Sequence, residues 1–359
     1  MFPEGFLGDH STFAPACHGR IRETHLVRQA PVPGGQERNM NESGKSKCGA
    51  KNRRMNYERM SLTAAFIYSD RYYVDLGEHV FPVEKYRLVY ERLLHEGFIT
   101  PENTFSPSLA EREDLLLVHT ANYLKDLDNL SASNSTMFSE LPLTGVIVQG
   151  HKLFAAGSIL VAEKAMERGI AIHLGGGFHH AFPSRAEGFC YVNDVAISIK
   201  KHKKLSRFEK VLIVDCDLHQ GNGNAFIFKK DPSVFTFSIH QEDLYPSKQE
   251  SDLDIGLADF TGDDVYLRLL EQALEDIRKK FSPEIVYYLA GADPYREDQL
   301  GNLTLTKEGL TERDRLVIGS YVKRGIPLVI LLAGGYAAKI EDTVEIHCNT
   351  CRIAMPCLR

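Results

Sequence analysis

The sequence predicts an α/β protein with a three-layer architecture: a mostly parallel sheet with helices on both faces. Three observations carry that expectation. From residue 62 onward, strand-like and helix-like stretches alternate along the chain. The strand candidates are short, continuous and apolar, several of them β-branched, as in strands covered on both faces. Between them lie helical patterns long enough to carry the chain back across the sheet, so that successive strands run parallel.

In chain order the strand candidates are residues 64–68, 171–174, 211–215, 234–239, 285–289 and 328–332. Helical periodicity covers residues 83–95, 148–168, 191–203, 263–280 and 307–323. No internal repeat or Pro/Ser linker interrupts this stretch, so residues 61–359 read as one catalytic-sized domain. Residues 1–60 differ: they are rich in Gly, Pro, Asn, Ser and Arg and lack a sustained apolar period. They read as a disordered basic extension.

The formal charge is −6, with 10 Lys/Arg against 6 Asp/Glu in residues 1–60 and 32 against 42 in the remainder. An acidic body of this kind argues against direct nucleic-acid binding and suits a cationic ligand. The longest apolar run, residues 326–338, is broken by Pro327 and by Gly334-Gly335, so no membrane partner is expected. Seven cysteines without regular spacing, and no secretory signal pattern, fit a reducing cytoplasm, or a nucleus in a eukaryote. The His347-Cys348-x-x-Cys351 spacing reads as thiols on a C-terminal helix or tail rather than a metal knuckle. The oligomeric state is not readable.

The chemistry gathers at strand ends, where open parallel sheets bind their ligands. Residues 171–174 lead into Gly175-Gly176-Gly177-Phe178-His179-His180. Residues 211–215 lead through Asp215-Cys216-Asp217-Leu218-His219 to Gln220-Gly221-Asn222-Gly223. Residues 285–289 are followed by Ala290-Gly291-Ala292-Asp293, and residues 328–332 by Ala333-Gly334-Gly335-Tyr336. Asp215, Asp217 and His219 share one face of an extended chain, and carboxylates left unpaired at a buried strand end call for a cation. Asp293, at the end of another buried strand, is a candidate third ligand. The glycine run lacks the spacing of a phosphate-binding loop.

These segments, with Gly188-Phe189-Cys190-Tyr191-Val192-Asn193-Asp194, Ser238-Ile239-His240, Asp298-x-Leu300-Gly301 and Val118-His119-Thr120 with Tyr123, resemble the zinc-dependent histone deacetylases and their bacterial relatives. The likeness spans about residues 62–345. The Gln220–Gly223 wording is most similar to the class IV branch. The resemblance implies the arginase/deacetylase fold with an eight-stranded sheet, and Zn2+ (or Fe2+) held by Asp217, His219 and Asp293. It implies His180 as general base, His179 as its electrostatic partner oriented by Asp215, and Tyr336 as oxyanion donor. Asn222 stands beside His180 where many family members carry a carboxylate. Gly188, Phe189 and Tyr245 are implied as tunnel walls. A structural K+ would draw oxygens from Asp215, Asp217, His219, Ser238 and Ile239. The implied substrate is an acyl-lysine protein or peptide, or an acetylated amine such as a polyamine. A binuclear ureohydrolase is disfavoured, because Gly221 stands where a second metal needs a carboxylate. Retention of the whole residue set disfavours a non-catalytic acyl-lysine reader.

Overall fold

The structure, a computed structural model, describes residues 64–355, which fall within one compact unit, Tyr57–Arg359. The expected basic extension, residues 1–60, lies outside the described residues. In chain order the first half forms β1 (Ala65–Ile67), α1 (Lys85–His95), β2 (Thr104–Phe105), α2 (Arg112–Leu115), α3 (Ala121–Asp128), α4 (Gly145–Arg168), β3 (Ile170–His173) and α5 (Asp194–Lys204). The second half forms β4 (Val211–Asp215), α6 (Asn222–Phe228), β5 (Val234–Gln241), β6 (Leu253–Leu257), α7 (Asp263–Lys280), β7 (Ile285–Leu289), α8 (Lys307–Val322), β8 (Leu328–Leu331) and α9 (Ile340–Ala354).

All eight strands join one parallel sheet in the order β2-β1-β3-β8-β7-β4-β5-β6. The four strands whose ends carry the candidate chemistry, β3, β8, β7 and β4, are neighbours at its centre. Their residues are wholly buried, as expected for strands covered on both faces. On one side α4 packs on β1, β3 and β8 and against α5; α1, α9, α8 and α7 pack against one another in succession.

Local chemistry sets the helix boundaries. Thr144 Oγ1 accepts from the Ile147 N–H, so α4 starts earlier than the apolar pattern indicated, and it ends at Gly169 in a positive-φ conformation. Asn193 Oδ1 accepts from the Ala196 N–H at 2.8 Å, which starts α5 after residue 193 rather than at 191. Helix α4 is long and apolar enough to cross a membrane by length and composition, but 67% of its most apolar window is buried inside the fold. It is the core helix. Cys348 and Cys351 lie on α9, buried and free like Cys190 and Cys216.

Two edge strands, β2 and β6, were not expected from the residues. β2 is two residues long, and β6 alternates half-buried and exposed positions as an edge strand does. β5 runs on to Gln241 because β6 supplies partners for His240 and Gln241.

Candidate active site

The chain leaves β4 at Asp215, and the residues beyond it part company. Asp215 Oδ2 turns to His179 Nδ1 at 2.8 Å. Asp217 turns instead toward His219 and Asp293, so the three residues do not share one extended face. His219 Nδ1 stands 3.4 Å from Asp217 Oδ1 and 3.5 Å from Asp293 Oδ2. One ligand atom from each of Asp217, His219 and Asp293 lies within 4.8 Å of the others. Backbone amides brace this cluster: the Gly334 N–H donates to Asp217 Oδ2 at 2.9 Å, and the Leu218 N–H to Asp293 Oδ1 at 3.0 Å. A Cβ on Gly291 would stand 2.6 Å from both Asp217 Oδ2 and Asp293 Oδ1, so only glycine lets the two carboxylates close.

The electrostatics of the cluster fit a cation. Asp293 Oδ2 is buried without a hydrogen-bond partner. Burial and the neighbouring Asp217 carboxylate push Asp293 up to about 6. Burial disfavours a charged His219, but Asp217 and Asp293 outweigh it and hold the imidazole up to about 10. Two buried carboxylates that recruit a proton at their common focus are a site for a positive charge. One imidazole nitrogen and two carboxylates suit zinc or ferrous iron.

Beside the cluster stand the two histidines of the β3 loop. Burial opposes charge on His179, but Asp215 and Asp217 raise it to about 9. Burial and the facing His179 and His219 hold His180 well below its ordinary value. Their Nε2 atoms are 3.0 Å apart. His179 Nδ1 faces a carboxylate, so the pair reads as a charged imidazole at 179 beside a neutral His180. The loop is pinned by buried Asp194, which accepts from the Gly177 and Phe178 N–H groups. His119 accepts from the Asn193 N–H at 3.0 Å and so anchors the segment that carries Asp194.

Tyr336 follows β8 with its N–H donating to Asp298 Oδ2 at 2.7 Å. Its ring faces Phe189 and Phe81 at centroid distances of 5.7 and 5.8 Å. Above the cluster a mouth of about 300 Å³, lined by Glu140, Phe189, Leu244, Tyr245 and Leu300, narrows to a foot of about 20 Å³ between Phe81, Tyr86, Phe178 and Ala333. The two share His180, Gly188, Phe189, His219 and Tyr336. Gly188 has φ +49°, and a Cβ there would meet His180 Cδ2 at 2.6 Å. Phe189 takes φ 61°, strain of the kind that gathers at functional sites. Tyr245 is 43% exposed at the mouth, with its ring 5.7 Å from that of His180.

Ser238 lies opposite Asp215 in the β4–β5 register and Ile239 follows it; Ser238 Oγ is 2.9 Å from His240 Nδ1. The structure thus brings together Asp215, Asp217, His219, Asp293, His179, His180, Asn222, Tyr336, Gly188, Phe189 and Tyr245.

Several supporting residues escaped the sequence reading. Buried Lys85 donates from Nζ to the Ala333 carbonyl at 2.9 Å and the Gly335 carbonyl at 3.4 Å, and burial brings it down to about 8. Buried Arg313 donates to the carbonyls of Cys216 and Gly291. Glu187 accepts from Asn222 Nδ2 at 2.7 Å. A buried charge far along the chain leaves no local pattern that would have revealed it.

A parallel sheet with this order, with its ligand cluster at the carboxyl edge, is the arginase/deacetylase fold. The structure superposes on the crystal structure of an HDAC homolog complexed with SAHA with a TM-score of 0.70, at 24% identity, over 81% of this chain and 84% of that one. The histone deacetylase domain model matches residues 79–351. The chain is 42% identical over 272 residues to an uncharacterized protein of Picosynechococcus sp., covering 75% of this chain and 91% of that one. It is 35% identical over 283 residues to histone deacetylase 2 of Arabidopsis thaliana, covering 74% and 73%. With the acetoin utilization protein AcuC of Staphylococcus aureus it shares 29% identity over 285 residues, 71% and 72% of the two chains. The chain belongs to the histone deacetylase family. Its described residues are a deacetylase domain.

Proposed function

We propose that the protein hydrolyses the acetyl amide of lysine side chains in proteins or peptides, with Asp217, His219 and Asp293 holding one zinc or ferrous ion. The observation that carries this reading is the shared foot: Asp217, His219, the His179–His180 pair and Tyr336 all line one narrow cavity, and Asp293 closes on Asp217 and His219 beside it. When bound, the cation would acidify a water and polarise the scissile carbonyl. His180 Nε2 takes the proton of the attacking water. His179, held charged by Asp215, stabilises negative charge beside it and stands ready to protonate the leaving amine. The Tyr336 hydroxyl donates to the developing oxyanion, a contact worth ~3 kcal/mol. Gly188 and Phe189 sheathe the lysine stem and exclude water, while Tyr245 closes the rim. A monovalent cation, potassium, held by oxygens of Asp215, Asp217, His219, Ser238 and Ile239, would stiffen the strand ends beneath.

Asn222 and the Gln220–Gly223 wording support the class IV branch. The test is turnover of acetyl-, longer acyl- and acetylpolyamine substrates by metal-reconstituted protein, beside His180→Ala. Acetyl-peptide hydrolysis, its loss in the variant and inhibition by SAHA are expected. Undiminished turnover in His180→Ala removes the assigned base; polyamine preference replaces the substrate class.

A further inference from the structure

Four side chains form a line from the surface to the proposed base. Arg185, whose side chain is 39% exposed, donates to Glu187 Oε2 from Nε at 3.1 Å and from Nη2 at 2.9 Å. Glu187 Oε1 accepts from Asn222 Nδ2 at 2.7 Å, and Asn222 Oδ1 stands 2.8 Å from His180 Nδ1. The Gly223 N–H donates to the same Asn222 Oδ1 at 3.0 Å. No orientation in this line is free. A carboxylate only accepts and a backbone N–H only donates, so the Asn222 amide turns its NH2 to Glu187 and its oxygen to Gly223 and His180. His180 Nδ1 therefore carries the proton, and Nε2 keeps the lone pair that a base needs.

We propose that Glu187 is a positioning residue for the reaction: it acts through Asn222 to hold His180 as the Nδ1–H tautomer and places a negative charge behind it. The inference rests on the deacetylase reading with His180 as base. An amide at 222 cannot itself balance an imidazolium. Glu187 returns the missing carboxylate one hydrogen bond further out, where it polarises the amide as the proton arrives. Arg185 explains why the residue is a glutamate. One oxygen must accept from Asn222 and the other from the guanidinium, and a glutamine offers only one acceptor.

The test is an exchange of amide and carboxylate. Glu187→Gln sets an N–H against Asn222 or Arg185; Asn222→Asp sets two carboxylates face to face. Each alone lowers kcat by about tenfold or more, with KM and Tm held, because each leaves a charge-assisted bond broken or reversed. The double variant Asn222→Asp/Glu187→Gln rebuilds the line with its central bond running the other way. It returns kcat to within about threefold of the wild type, since directly coupled sites are not additive. ¹⁵N spectra of the metal-loaded protein show His180 as a single Nδ1–H tautomer in the wild type and as a mixture in Glu187→Gln. The proposal is overturned if neither single variant loses activity, if their losses add in the double variant, or if the tautomer stays unchanged. A wild type that hydrolyses no acyl-lysine removes the underlying reading instead, and the ring spectra still decide the relay.

Discussion

Arg313 Nη1 lies 2.5 Å from the Gly291 carbonyl oxygen and 3.3 Å from that of Cys216. One guanidinium from α8 thus fastens the ends of β4 and β7, the strands that deliver Asp217 and Asp293. Asp314 balances its charge, accepting from Arg313 Nε at 3.0 Å. Arg313→Ala leaves the buried Asp314 with only the Tyr288 and Thr350 hydroxyls as partners, and breaking one side of a buried ion pair costs about 3–5 kcal/mol. Urea unfolding should show that loss. Metal titration should show weaker binding, because the two strand ends are no longer tied.

Tyr336→Phe keeps the ring contacts with Phe81 and Phe189 and removes only the hydroxyl. kcat should fall by about 10²–10³-fold with KM little changed, as for other single oxyanion donors. A change confined to KM would show that the hydroxyl binds substrate rather than the transition state.

Chelation should abolish turnover, and zinc or ferrous iron should restore it at one ion per chain. Binding must displace the proton that Asp217 and Asp293 hold on His219 up to about 10 and the one that burial and Asp217 hold on Asp293 up to about 6. Metal affinity should therefore tighten as pH rises. Equilibrium dialysis across pH 6 to 9 reads the slope, and two manganese ions per chain would point to a ureohydrolase.

His151 is buried among Phe154, Phe178 and Tyr191, with Nδ1 unpartnered, and burial brings it down to about 3. Below pH ~6.5 the unfolded chain binds a proton here that the native state refuses, so its contribution to stability is lost as pH falls toward 3. Relative to His151→Phe, the wild type should lose about 1.4 kcal/mol per pH unit below that point. Unfolding free energies at pH 7, 6 and 5 provide the comparison, and parallel profiles would refute it.

Gly188→Ala places a methyl against His180 Cδ2 at a backbone φ of +49°. The imidazole must move, and kcat should drop while the folded state persists in circular dichroism. An unchanged kcat would show that the tunnel wall yields freely.

Most of the centre was legible in the sequence because each of its parts follows an unmistakable strand. Val211-Leu212-Ile213-Val214 announces β4, and what comes after it must face the carboxyl edge. The edge strands were not legible: Thr104-Phe105 is too short to show a period, and Leu253-Asp-Ile-Gly-Leu carries residues that disfavour strands. Glu187, Arg313 and Lys85 were missed for a different reason. Each matters through a partner distant in sequence or across a turn, and nothing in the local wording marks a charge as buried. The divergence of Asp215 from Asp217 was also invisible, since alternation along an extended chain says nothing of where the strand stops.

The adjacency of β3, β8, β7 and β4 separates two kinds of change that the molecule can undergo. Substitutions in the segments that rim the cavity, around Glu140 and Leu244-Tyr245, retune what enters without disturbing the central four strands. Conversely, no fragment that stops before β8 completes the catalytic set, because Tyr336 follows that strand and β8 itself lies between β3 and β7. During synthesis the enzyme is therefore silent until nearly the whole domain has emerged.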